Sequence, residues 1–227
     1  MTTIQLGYWN SRGFAHPIRQ LLYFTKLDFE NVTWGTSEAW HAKKAEIFGN
    51  TTQLANCPFL KDGDYIVTES TAIPFYVAHR ANRADLIGKD VKDQARVREI
   101  QGAASDLFQS IVKHIWADNI KEIAGKAAQK GGATYKVAER LSRFLGEKEF
   151  LLGYFTYADL LLVHYIQFTR NACLSLEAAD PYTDFGNLLA LVKRVEGLPE
   201  LEGFPYNNLP YVPPDKLTWF KTHNLPE

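Results

Sequence analysis

The sequence predicts an α/β plus all-α protein, with a small mixed domain at residues 1–82, a linker at 83–89 and an all-helical domain at 90–227. Three observations carry that prediction. Apolar residues alternate at strand period at Ile4, Leu6 and Tyr8, then switch to helix period at Phe14, Ala15, Ile18, Leu21 and Leu22. Lys61-Asp62-Gly63-Asp64 stands between the apolar runs Phe59-Leu60 and Tyr65-Ile66-Val67, which is a hairpin signal. From Asp90 onward apolar residues keep helix spacing and no convincing strand pattern recurs.

The breaker Asn10-Ser11-Arg12-Gly13 ends the first strand and opens the first helix. A second strand is expected at Phe29–Trp34, a short helix at Glu38–Phe48 and a loop at Thr51–Asn56. After the hairpin, a helix is expected to start near Ser70 and to carry Ile73, Tyr76, Val77 and Arg80; Pro74 fits it only near the first turn. The order is βαβ, then ββα. In the second domain Val97, Ile100, Ala104, Leu107, Phe108, Ile111 and Ile115 hold helix spacing over many turns. Gln129-Lys130-Gly131-Gly132-Ala133 breaks the pattern, and Val137, Leu141, Phe144 and Leu145 resume it. Thr156-Tyr157-Ala158-Asp159 is a capping box. The helix it opens is apolar nearly all round from Leu160 to Phe168, so it should be the central one. Phe185, Leu188, Leu189, Val192 and Val195 give another, and the tail from Leu209 is proline-rich with Tyr211, Trp219 and Phe220.

Composition narrows the function. Apolar residues make up 46 % and charged residues 22 %, an ordinary globular balance. A net charge of −1 without long runs of one sign argues against nucleic acid or a membrane surface as a partner. The start has no secretory pattern, and no apolar run nears the roughly eighteen residues of a membrane span. Cys57 and Cys173 form no Cys-x-x-Cys pair and fit a reducing compartment, so a cytoplasmic location is expected. The six histidines show no metal spacing, and there is neither a Gly-rich phosphate loop nor a Gly-x-Ser-x-Gly elbow. No metal is expected.

The residues that carry chemistry gather in the first domain. Tyr8 stands at a strand-to-helix turn, where open α/β sheets place ligands and a helix N-terminus favours an anion. A phenol titrates near ~10 and a thiol near ~8.5. Beside a bound thiol Tyr8 would stay neutral and donate to the thiolate, lowering the thiol's pKa by roughly one to three units. Asn56-Cys57-Pro58 is a candidate cis-proline site. Glu69 beside Ser70 suits an ammonium next to a carboxylate, and Trp40 and Lys44 lie one helical turn apart. Taken singly, each of these residues is more often an ordinary structural one.

Taken together they carry a resemblance. Leu6-Gly7-Tyr8-Trp9 followed by Arg12-Gly13-Phe14-Ala15-His16-Pro17-Ile18-Arg19 resembles the opening of cytosolic glutathione transferases, closest to the mu class. The element order resembles that family's thioredoxin-like domain followed by a helical bundle. The resemblance implies glutathione as co-substrate, with Tyr8 as the catalytic residue. It implies that Cys57, before Pro58, pairs through its backbone with the cysteinyl part. Asn56, Glu69 and Ser70 would serve the γ-glutamyl end, and Trp40 and Lys44 the glycine carboxylate. Trp9 and Phe14 would flank the bound tripeptide. Asp106 would reach a partner subunit's γ-glutamyl amine, which implies a homodimer. Trp9, Phe14, Val112, Trp116 and Tyr211 would form an apolar electrophile pocket. Glu69 stands where the mu class usually has Gln, and Trp116 where it commonly has a second tyrosine. The reaction implied is detoxification-type conjugation of glutathione to an apolar electrophile. A glutathione-dependent isomerase or peroxidase, and a non-catalytic binding protein, stay open beside it.

Overall fold

The structure is a computed structural model that describes residues 3–49 and 54–212. The expected loop residues 51–53 and the tail aromatics Trp219 and Phe220 lie outside the described residues. The described chain forms two compact units. The first comprises residues 3–84 together with 203–212, and the second comprises 85–202. Segment 203–212 therefore groups with the α/β unit, although the sequence places it after the helical one.

The first unit contains β1 (Ile4–Trp9), α1 (His16–Phe24), β2 (Phe29–Trp34), α2 (Ser37–Phe48), β3 (Phe59–Asp62), β4 (Tyr65–Thr68) and α3 (Ile73–Arg80). The sheet order is β2-β1-β3-β4; β1 and β2 run parallel, and the other pairings are antiparallel. The βαβ crossover makes the first pairing parallel, and the Gly63-Asp64 turn makes the last antiparallel. Pro17 sits in the first turn of α1, where its missing N–H costs nothing, and Ile18, Leu21 and Leu22 are fully buried. Helix α2 is capped by Thr36, whose Oγ1 accepts the Ala39 N–H at 3.2 Å. Helix α3 starts at Ile73 rather than near Ser70, because Pro74 takes an early position and residues 69–72 form a turn. The Glu69 carbonyl accepts the Ala72 and Ile73 N–H groups across that turn.

The second unit contains α4 (Val91–Val112), α5 (Ile120–Ala128), α6 (Ala133–Leu145), α7 (Tyr157–Ser175) and α8 (Gly186–Glu196). The long apolar pattern is split into α4 and α5 by turns that close at His114, Ile115 and Ala117. Asp90 caps α4 by accepting the Lys92 and Asp93 N–H groups at 2.8 and 2.9 Å. Helix α7 is buried on nearly all faces, and Phe108 of α4 lies 4.4 Å from the Tyr165 and Phe168 rings. The capping box at its start extends beyond the helix: the Asp159 carboxylate accepts the Thr156 N–H at 2.8 Å and the Leu151 N–H at 2.8 Å. Asp159 is fully buried, so its loss strands buried donors. Asp159→Ala is expected to cost about 3 kcal/mol, read as a lower urea midpoint with an unchanged slope.

Candidate active site

Tyr8 is the penultimate residue of β1, in register with Thr33 of β2. Its hydroxyl oxygen accepts the Phe14 N–H at 3.2 Å. Among the described residues no acceptor takes the hydroxyl proton. Burial pushes the Tyr8 hydroxyl well above the ordinary phenol range; the Phe14 N–H and the Arg19 charge pull the other way. Tyr8 is thus a neutral phenol that keeps its proton across the working range. Gly13 makes this arrangement possible. Its φ is +38, and a Cβ there would fall 2.6 Å from the Tyr8 ring and hydroxyl. No other residue type fits without moving Tyr8.

Two arginines grip the turn between Tyr8 and Phe14. Arg19 of α1 is fully buried. Its Nε donates to Asn31 Oδ1 at 2.8 Å and one terminal nitrogen donates to the Ser11 carbonyl at 2.8 Å and the Arg12 carbonyl at 3.4 Å. The other lies 3.5 Å from the Trp9 carbonyl. The guanidinium carbon sits 6.0 Å from the Tyr8 ring centre and 5.9 Å from that of Tyr206. No carboxylate pairs with Arg19 among the described residues. Burial holds its pKa down to about 10, which leaves it charged at neutral pH. Arg12 holds the turn through segment 203–212. Its Nε donates to the Leu209 carbonyl at 2.8 Å, its guanidinium also reaches the Asn207 carbonyl and lies 4.2 Å over the Tyr211 ring. The Arg12 and Gly13 amides donate to the Pro210 and Tyr211 carbonyls at 2.7 and 3.2 Å. Tyr211 is thereby brought to the Tyr8 turn.

Beside the turn stands an aromatic stack. Trp9 meets Trp34 edge-on at 6.0 Å, and Trp34 stacks on Trp40 at 4.8 Å and on Phe59 at 6.1 Å. Cys57 packs against this cluster ahead of Pro58, and the Cys57–Pro58 bond is cis. Burial pushes the Cys57 thiol up to about 11, against the Trp9 N–H hydrogen bond and the nearby Lys44 charge. The thiol is protonated at neutral pH and is a poor nucleophile. Lys44, half-buried one turn after Trp40, has no ion-pair partner among the described residues. Asn56 Nδ2 donates to Glu69 Oε1 at 3.3 Å, while its Oδ1 accepts the Cys57 N–H at 2.9 Å. Glu69 adopts φ +76, so its backbone turns sharply ahead of Ser70.

The first unit therefore brings together Tyr8, Trp9, Phe14, Trp40, Lys44, Asn56, Cys57, Pro58, Glu69, Ser70 and Tyr211. Asp106 and Val112 lie on α4 and Trp116 just beyond it, all in the second unit; Asp106 and Trp116 are exposed and Val112 is half-buried. Reasoning from sequence missed Arg12, Gly13, Arg19 and Trp34 as parts of the site. Arg19 did carry a signal: it falls four residues after Ala15 and three before Leu22, on the apolar face of α1. Among the described residues, no group of His, Cys, Asp or Glu is arranged to hold a metal ion. No helix among them is long and apolar enough to cross a membrane.

A βαβ-ββα sheet with a tyrosine at the end of β1 and a cis-proline before β3, joined in one chain to a helical unit, defines a thioredoxin-like domain carried by a two-unit protein. The family model described as the N-terminal domain of glutathione S-transferase matches residues 4–79, and the one for its C-terminal domain matches residues 105–205. The chain belongs to the glutathione S-transferase family, and it is an enzyme of the mu-like kind. It is 28 % identical over 202 residues to the class-mu 26 kDa isozyme 51 of Fasciola hepatica, covering 88 % of this chain and 87 % of that one. It is 28 % identical over 204 residues to glutathione S-transferase Mu 2 of Homo sapiens, covering 88 % of each. Among solved structures, the glutathione S-transferase Blo t 8 aligns with a TM-score of 0.69 at 28 % identity, covering 88 % of this chain and 90 % of that one. A rat hPGDS complexed with a quinoline aligns with a TM-score of 0.72 at 21 % identity, covering 89 % and 95 %, a likeness of fold.

The Gly13 geometry yields a direct expectation. Gly13→Ala forces the Tyr8 ring aside and strains the backbone at positive φ, costing about 1–2 kcal/mol in stability. Conjugating activity should fall at least about tenfold while the urea midpoint drops only modestly.

Proposed function

We propose that the enzyme binds glutathione in its first unit, that the glutathione thiol releases its proton to solvent, and that Tyr8, keeping its own proton, donates a hydrogen bond from its hydroxyl to the resulting thiolate. Held as a thiolate, the sulfur attacks an apolar electrophile, by aromatic substitution or conjugate addition. The observation that carries this reading is the Tyr8 hydroxyl itself. Its oxygen already accepts the Phe14 N–H, and its proton has no taker among the described residues. A buried phenol that stays neutral offers a donor where an anion can use it. Each unit by which it lowers the thiol's pKa is worth about 1.4 kcal/mol.

The rest of the cradle follows the chemistry of the tripeptide. Lys44, with Trp40 beside it, suits the glycine carboxylate, and the Cys57 main chain before Pro58 suits the cysteinyl amide. Ser70 and the amides at the turn before α3 suit the γ-glutamyl carboxylate, and Glu69, steered by Asn56, suits its amine. Trp9, Phe14 and Tyr211 in the first unit, and Val112 and Trp116 in the second, are the proposed electrophile-facing residues. Trp116 is an indole, which donates but does not exchange a proton, so the reaction proposed needs no second acid. The enzyme is proposed to act as a cytoplasmic homodimer, with Asp106 reaching the partner's bound glutathione.

Conjugation of glutathione to chlorodinitrobenzene tests the reading. The wild type is expected to turn over. Tyr8→Phe is expected to lose most activity near neutral pH, about 10–1,000-fold, and to recover as rising pH ionises the thiol unaided. Equal activity of the two proteins at neutral pH would remove Tyr8 from the mechanism. Glutathione binding without turnover in the wild type would favour a binding protein.

A further inference from the structure

Arg19 is an expensive residue to bury, and the fold does not cancel its charge. The side chain is fully buried, yet every polar partner it has among the described residues is neutral: the Asn31 amide oxygen and the carbonyls of Ser11, Arg12 and Trp9. Asn31 accepts the Nε proton at 2.8 Å, in the position where a carboxylate would make an ion pair. Such a carboxylate would offset the burial. What the neutral amide leaves instead is an unopposed positive charge 6.0 Å from the Tyr8 ring centre.

We propose that Arg19 is a positioning residue for thiolate formation, whose uncancelled charge strengthens the Tyr8 hydroxyl as a donor while its nitrogens fix the turn that aims it. The inference rests on Tyr8 being the thiolate donor. A positive charge behind a phenol makes its O–H more polar and its hydrogen bond to an anion stronger. Burial keeps that O–H from ionising, so the gain is spent on donation. Among the described residues, the titratable groups facing Arg19 are Tyr8 from β1 and Tyr206 from segment 203–212. Cys57 faces Tyr8 and stays protonated. On α1 itself, His16 packs edge-on against Phe204, with ring centres 5.4 Å apart. None of these supplies a negative charge at neutral pH.

Asn31→Asp separates charge from support. It keeps the oxygen that Arg19 Nε uses and leaves the Ser11, Arg12 and Trp9 carbonyls in place, but it neutralises the guanidinium. The measurement is the pH dependence of kcat/KM for glutathione with chlorodinitrobenzene, for the wild type, Asn31→Asp and Tyr8→Phe, together with urea midpoints. Asn31→Asp is expected to unfold at a urea concentration no lower than the wild type. Its ionisation midpoint in the rate profile should move up by about one unit, which is about tenfold less activity on the acidic side, and the curves should converge at high pH. A profile that superimposes on the wild type, while that of Tyr8→Phe is displaced, overturns the role of Arg19 and leaves that of Tyr8 standing. Coincident wild-type and Tyr8→Phe profiles overturn the Tyr8 reading itself, and this one with it. Should Asn31→Asp fail to fold, Arg19→Lys decides. It keeps the charge and loses the fork, so its midpoint should match the wild type even where kcat falls. A midpoint displaced as far as that of Tyr8→Phe would overturn the proposal.

Discussion

A guanidinium with no counter-ion among the described residues lies at the centre of the turn that carries Tyr8, the proposed thiolate donor. Arg19 gathers the Ser11 and Arg12 carbonyls from inside the fold, with the Trp9 carbonyl nearby. Arg12 pins the same turn through Asn207, Leu209 and Tyr211. Between the two grips, Gly13 supplies the space in which the Tyr8 ring lies. The polar cost of burying Arg19 is met chiefly by the Ser11 carbonyl and Asn31 Oδ1, while the Arg12 and Trp9 carbonyls, which also accept the His16 and Ser11 N–H groups, add weaker contacts.

The polar ends of the proposed cradle are held by different means. Asn56, in the loop ahead of β3, ties that loop to Glu69 at the turn before α3. Lys44 is held on α2 beside Trp40, and Trp40 is fixed by its stack on Trp34. The aromatic stack thus gives α2 an anchor that its sparse burial would not supply; Phe48 is the one fully buried side chain of that helix. Cys57 sits against the same stack with its thiol protonated.

Much of the first unit was legible in the sequence. Ile4, Leu6 and Tyr8 alternate because β1 buries the face they share, and Asp62-Gly63 turns β3 into β4. The Thr156–Asp159 box could be read at sight because its pairing is local. What was hidden is non-local. Segment 203–212 joins the Arg12 turn across nearly the whole chain, and no periodicity encodes a partner that far away. Arg19 was given no role from the sequence, though its place on the apolar face of α1 marked it. The α4–α5 division was obscured because Ile115 follows Ile111 at helical spacing although it lies past the end of α4, in the intervening turns. The start of α3 was shifted by Pro74, whose fixed φ suits an early helical position and moved the boundary past Ser70.

The central claim is that the protein converts bound glutathione to its thiolate through Tyr8. An ultraviolet difference titration of the wild-type complex with glutathione measures this directly, with S-methylglutathione as the reference that cannot ionise. The account predicts a thiolate band that appears roughly one to three units below the pH at which free glutathione ionises. A band that follows free glutathione would contradict it.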